Sequence, residues 1–546
     1  EGHALHVLRG FSIRTALTAL GCREMQLPGL FAVPDWIVFV VTAAALLYMY
    51  AARYRNYWES QNVPAEPLSL IFRPFLQLIT KPLHVLDQER LQIYGKVFGT
   101  YEGGKPMLFV AEPEMIKKVL VKDFVTLSER RRLRLHEPLM DDLMTTVPLE
   151  RWRKIRPTVS PAFTTGKLKK MTAIIEDCAR ITRQHLQKAA EKYENIEMKH
   201  FFGNFTLDII ARCAFGTYLD SQLDQSNEFL SNSKRAIGQG LNIKLILFAL
   251  FPWIFHLLKI SPVNMDAFNY FKSLAVNVMK QRKEKNIRNE DFLQLMMDAQ
   301  EGKLSAATES TKSSDDQLYH LGDEGKPVLF SSDKTLTENE AIAQSVLFLF
   351  AGQDTMASVV SFTLYLLALH QEVQDKLREE VNECFAKHDN RPSFDVVHKQ
   401  KYLNAVLSES LRMFPPASRA ERTATEPYTV DGITVPEGCV VAVPLHAIHH
   451  DPQNFPDPEK FDPERFSEEN LSSIRPYTYL PFGAGPRNCV GMRFALHVVK
   501  LCLMNVIYCA KFVRTSETQV PLTFVNGSIM LNGKEITVGV RPLHAN

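Results

Sequence analysis

Phe482-Gly483-Ala484-Gly485-Pro486-Arg487-Asn488-Cys489-Val490-Gly491 presents one cysteine on a glycine-rich loop immediately before a helix-forming run. Gly483, Gly485 and Gly491 permit backbone angles and close approaches that a side chain would block, and Pro486 stiffens the loop between them. The helix expected from about Met492 sets its positive dipole end beside Cys489, which favours thiolate over thiol. Arg487 adds a fixed positive charge two residues away. A thiolate so held is suited to ligating one face of a metal. The competing reading is a Gly-Pro turn around a buried, inert cysteine, the usual state of single cysteines in intracellular chains.

Upstream of that loop, Thr337-Glu338-Asn339-Glu340 has the spacing of a capping box and opens a proline-free run to about His370, long enough to cross a whole domain. Within it, Ala351-Gly352-Gln353-Asp354-Thr355 interrupts an apolar face with a glycine, a carboxylate and a hydroxyl that can bond a carbonyl one turn back. Glu409 and Arg412 share one face of a largely apolar helix that Pro415-Pro416 terminates, so a buried pair needing a third partner is expected. Val97 to Tyr101 and Met107 to Val110 flank Gly103-Gly104 and predict a hairpin, whereas helical periodicity dominates from Pro113 to Leu369. Residues 426–447 alternate around Asp431-Gly432 and predict a second small sheet. The polar stretch 301–335 is expected to be a mobile surface insertion, and apolar Leu241 to Ile260 suits either core or a patch dipping into a bilayer.

At every fixed position, Phe-x-x-Gly-x-Arg-x-Cys-x-Gly at 482–491 matches the cysteine loop of the cytochrome P450 family, and the chain resembles a haem-thiolate enzyme. Ala351 to Thr355, Glu409 to Arg412 and the Trp152/Arg156 pair match further family motifs. The likeness covers nearly everything after the linker and is nearest to the clan holding the 3A subfamily and thromboxane synthase, carried also by Phe292 to Met296, Leu411 to Pro416 and Gly491 to Leu496. The linker departs from the family by lacking a Pro-Pro-Gly-Pro form.

The resemblance implies a mainly α fold with small β-sheets, haem b between the long central helix and the helix after the cysteine loop, and an N-terminal membrane anchor. It implies Cys489 as axial thiolate, with Phe482 in the haem-binding loop and Arg487, Trp152, Arg156, Arg422 and Arg130 around the propionates. Thr355 and Asp354 would deliver protons to oxygen, and Arg465, from Pro463-Glu464-Arg465-Phe466, would complete a structural trio with Glu409 and Arg412. The implied activity inserts one atom of dioxygen into lipophilic substrates such as xenobiotics, steroids or fatty acids. Electrons would come from NADPH through cytochrome P450 reductase, with cytochrome b5 as a second donor, at the endoplasmic reticulum membrane with the catalytic domain cytosolic. A basic cluster (Arg151, Arg153, Lys154, Lys167, Lys169, Lys170) suits an acidic reductase or a solvated face. The rivals are a haem-thiolate isomerase of lipid endoperoxides, against which Thr355 counts, and a non-enzymatic haem sensor.

Composition agrees with one large enzyme core: 546 residues, 45% hydrophobic, with Lys+Arg 63 against Asp+Glu 61. A net charge of +2 argues against a nucleic-acid-binding surface, and eight scattered cysteines without a Cys-x-x-Cys pair argue against a disulfide framework or a zinc site. Residues 31–52 have the length and apolarity of a transmembrane anchor. A leader of unknown role (1–30) precedes it, a linker (53–68) follows, and 69–546 form the catalytic domain.

Overall fold

Thr337 caps the helix that organises the molecule. Its hydroxyl accepts from the Glu340 N–H at 3.2 Å while Glu340 Oε2 accepts from the Thr337 N–H at 3.0 Å. The helix then runs Glu338–Leu369, about 48 Å at ~1.5 Å per residue. Most of its side chains are buried, so it is apolar on all sides rather than amphipathic. It packs most extensively on the helix Met198–Phe215, where Gly352 leaves room for the Ile210 side chain.

The computed structural model describes residues 35–67, 73–102, 104–131, 137–237, 244, 247–248, 252–263, 265–303, 319 and 335–543. The leader and most of the 301–335 insertion lie outside them, as do the first residues of the expected anchor. The chain is mainly α-helical with small β-sheets. The helix Met492–Cys509 follows the cysteine loop and packs on Thr165–Glu191 and on the central helix. Both it and the central helix are long and apolar enough to cross a membrane, yet both lie mostly inside the protein and form its core. The N-terminal helix Asp35–Ala52 contrasts with them, leaving Phe39 69% exposed among uncovered valines.

β1 (Val97–Glu102) and β2 (Lys105–Val110) make the expected antiparallel hairpin, with Val97 opposite Val110. The remaining strands are β3 (Asn195–Glu197), β4 (Ala420–Thr423), β5 (Tyr428–Val430), β6 (Ile433–Val435), β7 (Val440–Val443), β8 (Lys511–Val513) and β9 (Thr537–Arg541). Residues 426–447 do not form one sheet. β5 and β6 pair about Asp431-Gly432, whereas β7 runs parallel to β2 and antiparallel to β4 in the order β1-β2-β7-β4. The cause is burial: β7 reads Val-Val-Ala-Val, and such a continuous apolar strand suits a sheet interior covered on both faces. β3, β9 and β8 form a third sheet.

The turn Leu445–His449 follows β7 and inserts a group of histidines under the Arg412 helix. His446 stacks on His450 at 4.0 Å between ring centroids and lies 4.6 Å from His84. Burial pushes His84 down to about 4, and burial with the nearby Arg412 charge pushes His450 down to about 3. The unfolded chain therefore binds these protons near 6.5 while the folded chain refuses them, so stability is full above pH 6.5 and declines as pH falls toward 4. Each such histidine contributes about 1.4 kcal/mol per pH unit inside that window. Denaturant titration at pH 7 and pH 5 is expected to show a lower midpoint at pH 5, and replacing His84 by a neutral residue should flatten the slope; equal midpoints would contradict this.

Candidate active site

The cysteine loop closes on itself through backbone bonds. The Cys489 N–H donates to the Phe482 carbonyl at 3.0 Å, Asn488 N–H to Gly485 at 3.0 Å, and Gly483 N–H to Leu480 at 3.0 Å. Gly483 and Gly485 both take left-handed angles, φ 73° and 71°. At Gly485 a Cβ would also fall inside the Leu120 carbonyl oxygen, and a backbone oxygen cannot swing aside as a side chain can. Gly485→Ala is thus expected to lose about 1–2 kcal/mol from the left-handed backbone alone, with displacement of the 120–121 backbone added. A thermal midpoint equal to wild type would contradict the close approach.

Cys489 has its side chain open to space, yet it lies wholly within the protein, so it borders an interior cleft and depth governs its titration. Burial raises the thiol pKa, opposed by the Gly491 N–H and by the charges of Arg156 and Arg130. The thiolate expected from the helix end and Arg487 is therefore outweighed by desolvation. Burial thus favours the thiol, and a metal cation bound here would displace its proton.

Four guanidinium groups surround this loop. Arg487, stacked 4.5 Å over the Trp152 ring, donates to the carbonyls of Ser128 and Met144, each at 3.0 Å. Arg130 donates to the Arg487 carbonyl at 2.9 Å, Arg156 to Asn488 O at 3.0 Å and Oδ1 at 2.7 Å, and Arg422 to the Glu421 carbonyl at 2.9 Å. Among the described residues none of the four pairs with a carboxylate. Burial first, and mutual repulsion second, push Arg487 down to about 8 and Arg422 down to about 9. Arg156 is pushed down to about 10 by burial and Arg130. A guanidinium surrenders its proton reluctantly, so the group remains a set of cations drawn into the interior and close to one another. Arg422 Nε and Arg487 Nη2 are buried without a hydrogen-bond partner.

Between the central helix, the helix Lys401–Met413 and the helix after the cysteine loop lies a cavity lined by apolar side chains, including Met356, Leu407, Leu411, Phe482 and Leu496. Thr355 contributes the one hydroxyl in that lining. This hydroxyl donates to the Ala351 carbonyl at 2.7 Å, one turn back. Asp354 is held elsewhere: Lys199 Nζ lies 2.9 Å from its Oδ1 and also donates to Asn532 Oδ1 at 2.6 Å.

The family model for Cytochrome P450 matches residues 64–540. The chain belongs to the cytochrome P450 family. It is 35% identical over 528 residues to Cytochrome P450 3A41 of Mus musculus, covering 95% of this chain and 98% of that one. It is 36% identical over 516 residues to Cytochrome P450 3A5 of Homo sapiens, covering 93% and 97%. It is therefore a 3A-like P450, a monooxygenase oxidoreductase whose cofactor is haem iron with an axial cysteine thiolate.

The residues present fit that group. The P450 places a lone cysteine at an interior cleft and gathers four arginines beside it, two of which, Arg422 and Arg487, keep a buried donor without a partner; two propionate carboxylates would neutralise this charge. Cys489 would hold the iron; Arg130, Arg156, Arg422 and Arg487, with Trp152 bracing the last, would face the propionates.

Behind the loop, Arg412 grips Glu409 at 2.7 and 2.9 Å, both side chains at 0% exposure. Arg412 also donates to the carbonyls of His449 at 2.9 Å and Pro458 at 2.7 Å. Arg465 Nε stands 3.4 Å from Glu409 Oε1, and the Asp462 N–H donates to the same oxygen at 3.0 Å. His449 ties this network to the cysteine loop, because its Nε2 accepts from the Leu480 N–H at 2.9 Å.

The basic cluster is largely paired within the molecule. Arg151 meets Asp142 and Glu340, Arg153 meets Glu150, Lys167 and Lys170 meet Glu290, and Lys169 meets Asp395. Sequence reading missed Lys199, the tether of Asp354, and Tyr319, a residue of the 301–335 stretch that is buried against Tyr479 and Phe482. Spacing carries no signal for either.

Proposed function

We propose that this P450 hydroxylates lipophilic molecules of the xenobiotic, steroid or fatty-acid kind at the endoplasmic reticulum membrane, with electrons from NADPH delivered by a separate cytochrome P450 reductase and with cytochrome b5 as a second donor. The observation that carries the reading is the lone Thr355 hydroxyl in an otherwise apolar cavity beside the cysteine loop. Haem bound there through Cys489 supplies the activation of dioxygen. The apolar lining excludes water and favours apolar substrate by the area it removes from solvent. Thr355 holds its proton on the Ala351 carbonyl and can redirect it by rotation about one bond. Asp354, tethered 2.9 Å from Lys199 Nζ, is the nearest carboxylate in sequence to that hydroxyl and would relay protons toward it.

The expected anchor is supported by the uncovered apolar helix Asp35–Ala52, and exposed Leu76, Ile79, Leu257, Leu258 and Ile260 add apolar surface suited to a bilayer. The exposed ion pairs of Lys167, Lys169 and Lys170 contribute only ~0–1 kcal/mol each, so these cations can exchange an internal carboxylate for one on an acidic reductase.

Consumption of NADPH and oxygen on adding reductase and a lipophilic substrate tests the reading; an isomerase needs neither. The 3A relatives give the isomerase no support. Thr355→Val keeps shape and removes the proton. Product formed per NADPH is expected to fall at least about tenfold, against the ~10²–10⁴-fold that positioned proton donors contribute, while the melting midpoint stays nearly unchanged. Unaltered product yield per NADPH would remove Thr355 from the mechanism.

A further inference from the structure

Tyr319 belongs to the 301–335 stretch, whose composition predicts a solvated insertion, yet its side chain is only 3% exposed. Its hydroxyl lies 3.2 Å from Ser408 Oγ. Its ring meets the Phe482 ring edge-on, 5.0 Å between centroids at 86°, and stands 5.9 Å from Tyr479. Tyr479 donates its own hydroxyl to the Ser408 carbonyl at 2.9 Å. Two tyrosines thus converge on the residue that precedes Glu409, and one of them braces the first residue of the cysteine loop. Phe482 in turn receives the Cys489 N–H on its carbonyl at 3.0 Å. Only two contacts separate the Tyr319 ring from the amide that carries the ligating sulfur.

A side chain that merely needed cover would satisfy itself against any apolar surface. A hydroxyl paired in the interior together with a T-shaped ring contact specifies position as well as burial. The potential of a thiolate-ligated metal responds to the polarity and hydrogen bonding around the sulfur, which the backbone of this loop sets.

We propose that Tyr319 is a positioning residue for the cysteine loop: it fixes the Phe482 ring, and through the Phe482 carbonyl the Cys489 amide, and so tunes the electron affinity of the iron that Cys489 holds. This rests on the haem-thiolate reading given above. Removing the ring opens space beside Phe482 to water. More polar surroundings favour the reduced centre, which carries one more negative charge, so the midpoint potential rises.

The test uses the full-length haem-loaded protein as wild type, Tyr319→Phe, Tyr319→Leu and Tyr319→Ala. Each is titrated to equilibrium with dithionite in the presence of redox dyes, and each is scored for the carbon-monoxide difference band of thiolate ligation. Tyr319→Phe, which keeps the ring contact, is expected to match wild type. The Leu and Ala variants are expected to rise in midpoint potential, with the reduced-to-oxidised ratio at a fixed poise increased at least about threefold, ~30 mV for a one-electron couple at 59 mV per tenfold. Wild-type potentials in Leu and Ala with the thiolate band intact would overturn the proposal and reduce Tyr319 to packing. Should Ala not fold, Leu, which loses the ring and the hydroxyl and only partly fills their space, carries the same decision. A wild-type protein without the thiolate band would instead overturn the haem-thiolate reading, and this proposal with it.

Discussion

Arg412→Ala is expected to abolish recovery of folded, haem-loaded protein. Arg412 and Glu409 are both at 0% exposure, and the guanidinium also satisfies the His449 and Pro458 carbonyls. Truncation leaves the Glu409 carboxylate inside the protein with only the more distant Arg465 and the Asp462 N–H. Breaking a buried pair by removing one partner costs about 3–5 kcal/mol, a large part of the ~5–15 kcal/mol that separates folded from unfolded protein. The damage does not stay local. His449, whose carbonyl accepts from Arg412, holds Leu480 through Nε2, and the Leu480 carbonyl receives the Gly483 N–H of the cysteine loop. Arg412→Lys keeps the charge but loses the two-pronged grip, so it should fall between wild type and alanine in thermal midpoint and haem content. A melt of Arg412→Ala equal to wild type would remove this network from the account of how the loop is held.

Sequence reveals most where local chemistry decides structure. The capping box at Thr337, the absence of proline up to Leu369 and the glycines of the cysteine loop each act over a few residues, and the elements stand where that chemistry puts them. The three-residue spacing of Glu409 and Arg412 likewise guarantees that they meet on one helix face. Pairings made by tertiary packing were hidden. The apolar run Val-Val-Ala-Val suits β7 to a strand but says nothing of β2 as its neighbour. Lys199 reaches Asp354 only because two distant helices pack side by side, and Glu290 and Asp395 meet the basic cluster in the same way. Tyr319 is surrounded by polar sequence that disguises its burial. The protonation of Cys489 turns on depth, which no motif states.

Cys489→Ser produces the second large effect. Serine preserves the loop's shape, since the Cys489 N–H to Phe482 bond is made by backbone and Gly483 and Gly485 are untouched. It removes the polarizable sulfur, and an alkoxide is far harder to form than a thiolate, so no anionic ligand remains to take a metal cation in exchange for the proton. The arginines stay in place to attract carboxylates, so some pigment can still associate while its axial ligation is lost. Fold and ligation are therefore separable in one pair of proteins. The deciding measurement is the carbon-monoxide difference spectrum of dithionite-reduced wild type and Cys489→Ser at equal, circular-dichroism-verified folded concentration. The account predicts the thiolate band in wild type and its complete absence in the serine protein; the same band in both would contradict it.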